Sequence, residues 1–102
     1  MKNLNFLHKL SIIIPAYNEE RAIKSVLEGL KNYLIGKIDD FEIIVIDDGS
    51  TDQTKKILEQ IKDINIISHP KNKGYGASLK SGIKKAQGEY ILIIDADDTY
   101  PI

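Results

Sequence analysis

Four short apolar runs recur along the chain, and none of them alternates apolar with polar residues. Strands that are apolar throughout are typical of a parallel sheet covered by helices on both faces, whereas a strand with one solvated face alternates. Each run is separated from the next by a segment of helical length, which predicts the order βαβαβαβ. The predicted strands are Leu10–Ile14, Phe41–Ile46, Ile64–Ser68 and Tyr90–Ile94, the last of them buried on both faces.

The segments between the strands show the spacing of amphipathic helices. An apolar stripe of period near 3.6 runs from Ala22 to Leu34 and includes Tyr33, with Asn18 as the expected N-cap. Ser50 and Gln53 have the spacing of a capping box and predict a second helix of about ten residues. The third helix is expected to place Tyr75, Leu79, Ile83 and Ala86 on one stripe, and Pro15 is expected to end the first strand.

Length and composition restrict the class of protein. With 102 residues the chain is predicted to form a single domain, residues 1–102, of ordinary globular composition. A net charge of −1 gives no overall field that would favour nucleic acid as a partner. The absence of cysteine excludes disulfides and thiolate metal sites. No run approaches the roughly 20 apolar residues of a membrane span, and no signal peptide is recognisable, so we expect a cytoplasmic protein.

Polar and glycine residues follow every predicted strand. In open parallel sheets, ligands bind outside the carboxyl ends of the strands, so these four loops are expected to meet at one edge. The four loops are Pro15–Glu19, Asp47–Ser50, His69–Gly76 and Asp95–Asp98.

The two middle loops each allow two interpretations. One of Asp47 and Asp48 could cap the next helix, but capping does not account for both. A carboxylate there could instead accept hydrogen bonds from a base N–H or from ribose hydroxyls, with Gly49 allowing close backbone approach. Lys73 beside Gly74 is either a solvated loop residue or a phosphate contact at a helix N-terminus.

The acidic loop after the fourth strand also has two interpretations. Asp95 and Asp97 could belong to a solvated turn, or they could bind Mg²⁺ or Mn²⁺ together with substrate phosphates. His69 and His8 have no partner at ligand spacing and are interpreted as structural or exposed.

Taken together, these stretches resemble the nucleotide-sugar-binding half of family 2 glycosyltransferases, which have the GT-A fold. The resemblance is closest to the polyprenyl-phosphate branch, the dolichyl-phosphate mannose synthase-like enzymes. It implies an α/β, Rossmann-like three-layer sandwich with a mostly parallel sheet, truncated after the fourth strand. The stretches that carry it are Ser11–Glu19, Ile44–Asp52, Asn72–Ala77 and Gly88–Asp97.

The resemblance also implies residue roles. The base and ribose would lie against the first loop, Asp48 with Asp47 beside it would recognise the base, and Asp95 would lie near the ribose and the metal. Asp97 would be the main protein ligand of Mg²⁺ or Mn²⁺. The donor would be a UDP- or GDP-linked sugar and the acceptor a lipid phosphate. The expected nucleotide-sugar-binding residues are Pro15, Ala16, Tyr17, Glu19, Asp47, Asp48, Gly49, Lys73, Gly74, Asp95 and Ala96.

Two departures from the family pattern qualify these expectations. Thr99 stands where the mannose-synthase-like enzymes often have a glutamine that helps to hold the metal. Family members also continue well beyond the acidic loop, so the acceptor site and catalytic base are expected beyond Ile102. The chain is therefore expected to be the donor-binding half of an enzyme, inactive alone, with an exposed sheet edge that favours self-association.

Other classes fit less well. A nucleotide-binding fragment without catalysis is one alternative. Asp95 to Thr99 also matches the D-x-D-x-T nucleophile loop of haloacid-dehalogenase-like phosphatases, but that loop follows a first strand rather than a fourth. A receiver domain would need an acid after the third strand, where Ser68–Pro70 has none. A dinucleotide-binding domain would need G-x-G-x-x-G after the first strand, and it is absent.

Overall fold

The computed structural model describes residues 9–96, and within them strands and helices alternate as predicted. The helices and strands follow the order expected for a chain of βα units. The elements are β1 (Leu10–Ala16), α1 (Ile23–Leu34), β2 (Phe41–Asp48), α2 (Thr54–Glu59), β3 (Asn65–His69), α3 (Tyr75–Lys85) and β4 (Tyr90–Ile93).

The four strands form one parallel sheet in the order β3-β2-β1-β4. β1 and β2 lie at its centre and pair along their whole length, from Leu10 opposite Phe41 to Ala16 opposite Asp47. The parallel α/β sheet expected from unbroken apolar runs is therefore confirmed. Because all strands point the same way, their carboxyl ends share one edge.

Helices cover the two faces of the central strands. On one face, Ile23 and Leu27 of α1 and Leu58 of α2 pack with Ile12 and Val45 of the sheet. On the other face, α3 lies over a second cluster formed by Ile13, Ile44 and Ile46. α3 approaches closely at Gly82, where an added Cβ would lie 2.6 Å from Cγ2 of Ile13. This is the three-layer arrangement expected for the fold.

The prediction that the fourth strand is buried on both faces was wrong. All four residues of β4 are 40–57% exposed, since the strand order places β4 at the edge of the sheet, where among the described elements it pairs with β1. Residue hydrophobicity identifies a strand whose side chains favour burial, but it does not show which strands or helices pack against it. The edge strand therefore presents an apolar surface.

Three predicted element ends also differ from the structure. Pro15 lies inside β1, which continues to Ala16. Asn18 has φ 53° and does not cap α1, whose N-cap is Ala22. Ser50 does not cap α2, which begins at Thr54 and is six residues long. The side chains of Asn18 and Ser50 are used in contacts between loops instead, as described below.

The buried faces of α1 and α3 include fewer residues than the sequence predicts. Tyr33 is 64% exposed, and Nζ of Lys37 lies 4.5 Å from the centroid of its ring. Tyr75 and Ile83 of α3 are exposed, while Ser78 and Gly82 are buried. Small residues face the sheet in α3 because the helix lies close to it.

Hydrogen bonds at the amino edge of the sheet fasten α3 to β1 and β2. Oγ of Ser11 donates to Oε2 of Glu42 at 2.5 Å and accepts from the Gly88 N–H at 2.8 Å. The Gln87 N–H donates to the same carboxylate oxygen at 2.7 Å. Burial raises the pKa of Glu42, but these hydrogen bonds and the charge of Lys9 outweigh burial and hold that pKa below its ordinary value. The cluster lies opposite the edge where the loops meet.

No helix among residues 9–96 combines the length and hydrophobicity that crossing a bilayer requires.

Candidate functional site

A cavity of about 180 Å³ opens at the carboxyl edge of the sheet. Its walls come from the ends of β1 and β2, from the segments after β1 and β4, and from the first residue of α3. This is the edge at which the sequence placed the candidate residues. The lining residues are Pro15, Ala16, Tyr17, Glu19, Asp48, Tyr75, Asp95 and Ala96.

The loop after β1 is held in place by the loop after β2. The Asn18 N–H donates to Oγ of Ser50 at 2.9 Å, and Oδ1 of Asn18 accepts from the Thr51 N–H at 2.8 Å. The Glu19 N–H donates to Oγ1 of Thr54, also at 2.9 Å. Asparagine tolerates the left-handed conformation that Asn18 adopts here. These contacts hold the loop that carries Tyr17 and Glu19 at the wall of the cavity.

Asp52 organises the start of α2 beneath that loop. Its Oδ1 accepts from the N–H and the hydroxyl of Thr54 at 2.9 and 2.6 Å, and its Oδ2 accepts from the Glu20 N–H at 3.3 Å. Oε1 of Glu20 in turn accepts from the Gln53 N–H at 3.0 Å. Burial raises the pKa of Asp52, but the hydrogen bonds, led by the Thr54 hydroxyl, hold it below its ordinary value. Asp52, and not Ser50, thus accepts the first N–H of α2, whose N-cap residue is Gln53.

Asp48, at the end of β2, accepts three hydrogen bonds through its carboxylate. Its Oδ1 accepts from Nδ1 of His69 at 2.7 Å and from the Lys73 N–H at 2.9 Å. Its Oδ2 accepts from the Gly74 N–H at 2.9 Å. Burial raises the pKa of Asp48, but the hydrogen bonds from His69 and from the two N–H groups outweigh burial and hold it below the ordinary value. Asp48 is therefore ionised at neutral pH.

Asp47 and Gly49 do not line the cavity. Asp47 is buried, and its Oδ1 accepts from the Ser50 N–H at 3.1 Å, which shapes the turn after β2. Gly49 has φ +73°, and a Cβ there would lie 2.3 Å from the carbonyl carbon of Lys71. The close approach expected at Gly49 is thus made by the backbone of the 71–72 loop.

Lys73 and Gly74 contribute through their backbone. Both N–H groups are donated to Asp48, neither residue lines the cavity, and the Lys73 side chain is exposed. Gly74 is the N-cap of α3 with φ 101°. In this arrangement the loop binds a carboxylate of the protein itself at the position where a phosphate was expected.

The segment after β4 brings Asp95 to the cavity. The Ile94 N–H donates to the Ile13 carbonyl at 3.0 Å, which continues the pairing of β4 with β1 past the last strand residue. Ala96 is 3% exposed and packs in the core, so the chain turns at this point. Asp97, the expected main metal ligand, and Thr99 lie outside the described residues. Within residues 9–96, no three acidic or histidine side chains are grouped closely enough to bind a metal ion.

The charge of the cavity bears on the kind of ligand it accepts. Three carboxylates line it, those of Glu19, Asp48 and Asp95, and the lining residues among those described include no lysine, arginine or histidine. A diphosphate would be repelled by such walls unless a cation were bound with it. Hard oxygen ligands are the donors that Mg²⁺ and Mn²⁺ prefer, but the described carboxylates are not grouped closely enough to bind such an ion by themselves. A divalent ion here would need phosphate oxygens among its ligands.

Two residues of the site were not predicted from the sequence. Tyr75 was assigned to the packing stripe of α3, yet it is 57% exposed and lines the cavity. Its position directly after a glycine at the carboxyl edge could have indicated this. His69 was interpreted as structural or exposed; the structural interpretation agrees with its ring, whose partner, Asp48, the sequence does not reveal. Only the meeting of β2 and β3 at this edge reveals that contact.

Comparison with known proteins identifies the family. The profile of glycosyl transferase family 2 matches residues 11–102, nearly the whole chain. The chain belongs to this family. Membership confirms the resemblance seen in the sequence motifs and removes the phosphatase and receiver alternatives.

Individual relatives of this glycosyltransferase chain agree with that assignment. A dolichyl-phosphate beta-glucosyltransferase of Trichomonas vaginalis is 34% identical over 97 residues, which cover 86% of this chain and 30% of the relative. Residues 1–349 of TarS from S. aureus, solved in complex with UDP-GlcNAc, superpose with a TM-score of 0.78 at 34% identity, covering 87% of this chain and 26% of that one. The mannosyltransferase PcManGT from Pyrobaculum calidifontis, solved with GDP-Man and Mn²⁺, gives a TM-score of 0.72 at 26% identity, covering 93% of this chain and 29% of that one.

The fold is that of the GT-A glycosyltransferases, as the sequence predicted. The chain spans less than a third of the length of each of these proteins. What these comparisons establish is the family and the fold of the described part.

Proposed function

We propose that the cavity at the carboxyl edge is the donor site of a glycosyltransferase that uses a nucleotide-diphosphate sugar and a divalent metal ion. The observation that carries this proposal is the set of three carboxylates around one cavity at the strand ends, where the described lining includes no cationic side chain. A site of that charge accepts a diphosphate only as a complex with a cation. The UDP-GlcNAc and GDP-Man complexes of the two structural relatives support the same ligand class.

Each wall of the cavity has a proposed role toward the donor. Tyr17 and Tyr75, both largely exposed, offer aromatic surface to a base. Asp48 accepts a hydrogen bond from a base N–H, and Glu19 accepts from ribose hydroxyls. Pro15, Ala16 and Ala96 shape the floor without competing polar groups.

We place the metal ion, Mg²⁺ or Mn²⁺, at Asp95 and Asp97, together with oxygens of the diphosphate. When bound, such an ion neutralises the charge of the nucleotide diphosphate as it leaves. Asp95 lies beside the cavity, and Asp97 follows it by two residues. The Mn²⁺ bound to the Pyrobaculum relative supports a divalent ion without deciding between the two metals.

The rest of the reaction is proposed for a longer enzyme. The relatives are about three to four times as long as the chain, and one of them is a dolichyl-phosphate beta-glucosyltransferase. We therefore propose a lipid phosphate acceptor, met at the cytoplasmic face of a membrane, and a catalytic base outside this chain. The chain alone is proposed to bind donor nucleotide and not to transfer sugar.

The exposed edge has a proposed consequence of its own. Among the described strands β4 pairs with β1 alone, and its four residues are 40–57% exposed. We propose that the isolated chain self-associates through this edge, because edge strands without charged residues pair readily with another chain.

Isothermal titration of the chain with UDP and with GDP, each with and without Mn²⁺ or Mg²⁺, tests the donor site. We expect metal-dependent binding of one nucleotide that is lost in Asp97→Ala and reduced in Asp95→Ala. Asp40→Ala is the matched control, because it removes the same charge from an exposed position at the amino edge. A chain that is folded by circular dichroism and binds neither nucleotide would refute the proposal.

A further inference from the structure

The ring of His69 joins three elements at the wall of the cavity. Nδ1 lies 2.7 Å from Oδ1 of Asp48 at the end of β2, and Nε2 lies 2.8 Å from Oγ of Ser81 on α3. The side chains of His69 and Asp48 are 8% and 5% exposed. His69 itself ends β3, so the ring is held on both sides by the sheet and by the helix that covers it.

The protonation of the pair follows from the chemistry of the carboxylate. Asp48 is ionised, and an ionised carboxylate only accepts hydrogen bonds, so Nδ1 of His69 must carry the proton. Nε2 lies within hydrogen-bond distance of the Ser81 hydroxyl, which can either donate or accept. Ser81 and Asp48 together select one orientation of the ring.

Counting acceptor positions shows what remains for a ligand. A carboxylate has about four lone-pair positions, two on each oxygen. Nδ1 of His69 and the Lys73 N–H use those of Oδ1, and the Gly74 N–H uses one of Oδ2. Among the residues that the structure describes, no further donor uses the second position on Oδ2, and Asp48 lines the cavity.

We propose that His69 is a positioning residue for donor recognition, which holds the Asp48 carboxylate so that its remaining acceptor serves one ligand N–H, and so sets selectivity for the base. The inference rests on the proposed function in taking the cavity to bind a nucleotide. The other described donors to the carboxylate are backbone N–H groups of the 73–74 loop, whereas the ring is anchored to a strand and a helix. A purely packing role for the ring would leave base selectivity unchanged when the ring is replaced.

The test measures the affinities of UDP, GDP and CDP, each with Mn²⁺, for the wild-type chain and four variants. His69→Phe keeps a ring but removes both hydrogen bonds, and His69→Asn restores a donor toward Asp48. Ser81→Ala removes the hydroxyl that contacts Nε2 of His69. Ser11→Ala is the control, since it loses a buried hydrogen-bonded hydroxyl at the opposite edge of the sheet.

We expect the wild type to prefer one nucleotide and His69→Phe to bind it about tenfold more weakly, the effect of one hydrogen bond to a charged group. The ratio of affinities between nucleotides should fall toward one in His69→Phe, recover in part in His69→Asn, and decrease less in Ser81→Ala. Partial unfolding scales all three affinities equally, so Ser11→Ala should lower stability without changing the ratio.

An unchanged ratio in a folded His69→Phe chain would overturn the inference, and His69→Asn decides if the phenylalanine variant does not fold. If the wild type binds no nucleotide, the proposed function fails first. In that case the NMR chemical shifts of the Lys73 and Gly74 amide protons report directly on their hydrogen bonds to Asp48. Shifts that stay unchanged in the His69 variants would show that the ring does not position Asp48.

Discussion

The backbone N–H of Glu19 donates to Oγ1 of Thr54 over 2.9 Å, across 35 residues of sequence. The same hydroxyl donates to Oδ1 of Asp52 at 2.6 Å, and Thr54 is completely buried. One threonine thus connects the loop that carries the cavity wall to the first turn of α2. Loops at a sheet edge are usually the mobile part of a fold, and here they are tied to a core residue.

Thr54→Val tests that connection, because valine has nearly the same shape and lacks the hydroxyl. We expect the free energy of unfolding to fall by about 1–3 kcal/mol, the cost of leaving buried polar groups without partners. Urea unfolding followed by circular dichroism measures the loss. Thr51→Val is the matched control, since Thr51 is exposed and its hydroxyl makes a long contact of 3.4 Å. Equal stability of the two variants would contradict the role given to Thr54.

Gly49→Ala is expected to destabilise the chain strongly. The residue has φ +73°, and its added Cβ would overlap the backbone of Lys71 and Asn72 at 2.3–2.4 Å. Left-handed strain alone costs about 1–3 kcal/mol, and the loop must also move. Gly29→Ala in the middle of α1, where no atom lies within 4 Å of the added Cβ, should instead stabilise by up to about 1 kcal/mol. Thermal unfolding of the pair measures both effects, and a Gly49→Ala chain as stable as wild type would show that the turn is not constrained.

Acid is expected to destabilise the chain through Glu42, Asp48 and Asp52. The pKa of each is held below its ordinary value in the folded state. Such a group adds stability that is complete above its unfolded pKa, near 4, and is lost as the pH falls through the lower folded value. Unfolding free energies at several pH values should therefore decline below about pH 5.

Glu42→Gln isolates one contribution to that decline. The glutamine side chain cannot ionise, so the slope of stability against pH should become shallower than in wild type. Glu28→Gln on the exposed side of α1 is the charge-matched control. A slope in Glu42→Gln as steep as in wild type would show that the cluster of Ser11, Gln87 and Gly88 does not favour the ionised form.

Leu92→Lys tests self-association through β4. Leu92 is 44% exposed on the edge strand, and a lysine there opposes pairing with a second strand. Sedimentation velocity across a range of concentrations should show association of the wild-type chain and its loss in the variant. Ile35→Lys, at a residue 65% exposed beyond the end of α1, provides the same change away from the edge. A wild-type chain that is monomeric at all concentrations would refute the proposed association.

Much of the fold follows from local patterns. The unbroken apolar runs at Leu10–Ile14 and Phe41–Ile46 predict central parallel strands, and parallel strands place their following loops at one edge. The candidates in the first and last loops, from Pro15 to Glu19 and at Asp95 and Ala96, could therefore be chosen from sequence, and the structure brings them together around one cavity.

The sequence alone determined the order of the elements, the parallel sheet, the family and the edge that carries the cavity, because periodicity and motifs are properties of neighbouring residues. The tertiary structure decided that β4 is an exposed edge, that Asp47 and Gly49 shape a turn, and that Asp48 is bonded to His69, 21 residues away. Strand order and hydrogen-bond partners depend on which segments meet in space. A run of apolar residues does not specify which strand it pairs with in the sheet. A single histidine likewise does not specify which carboxylate it contacts.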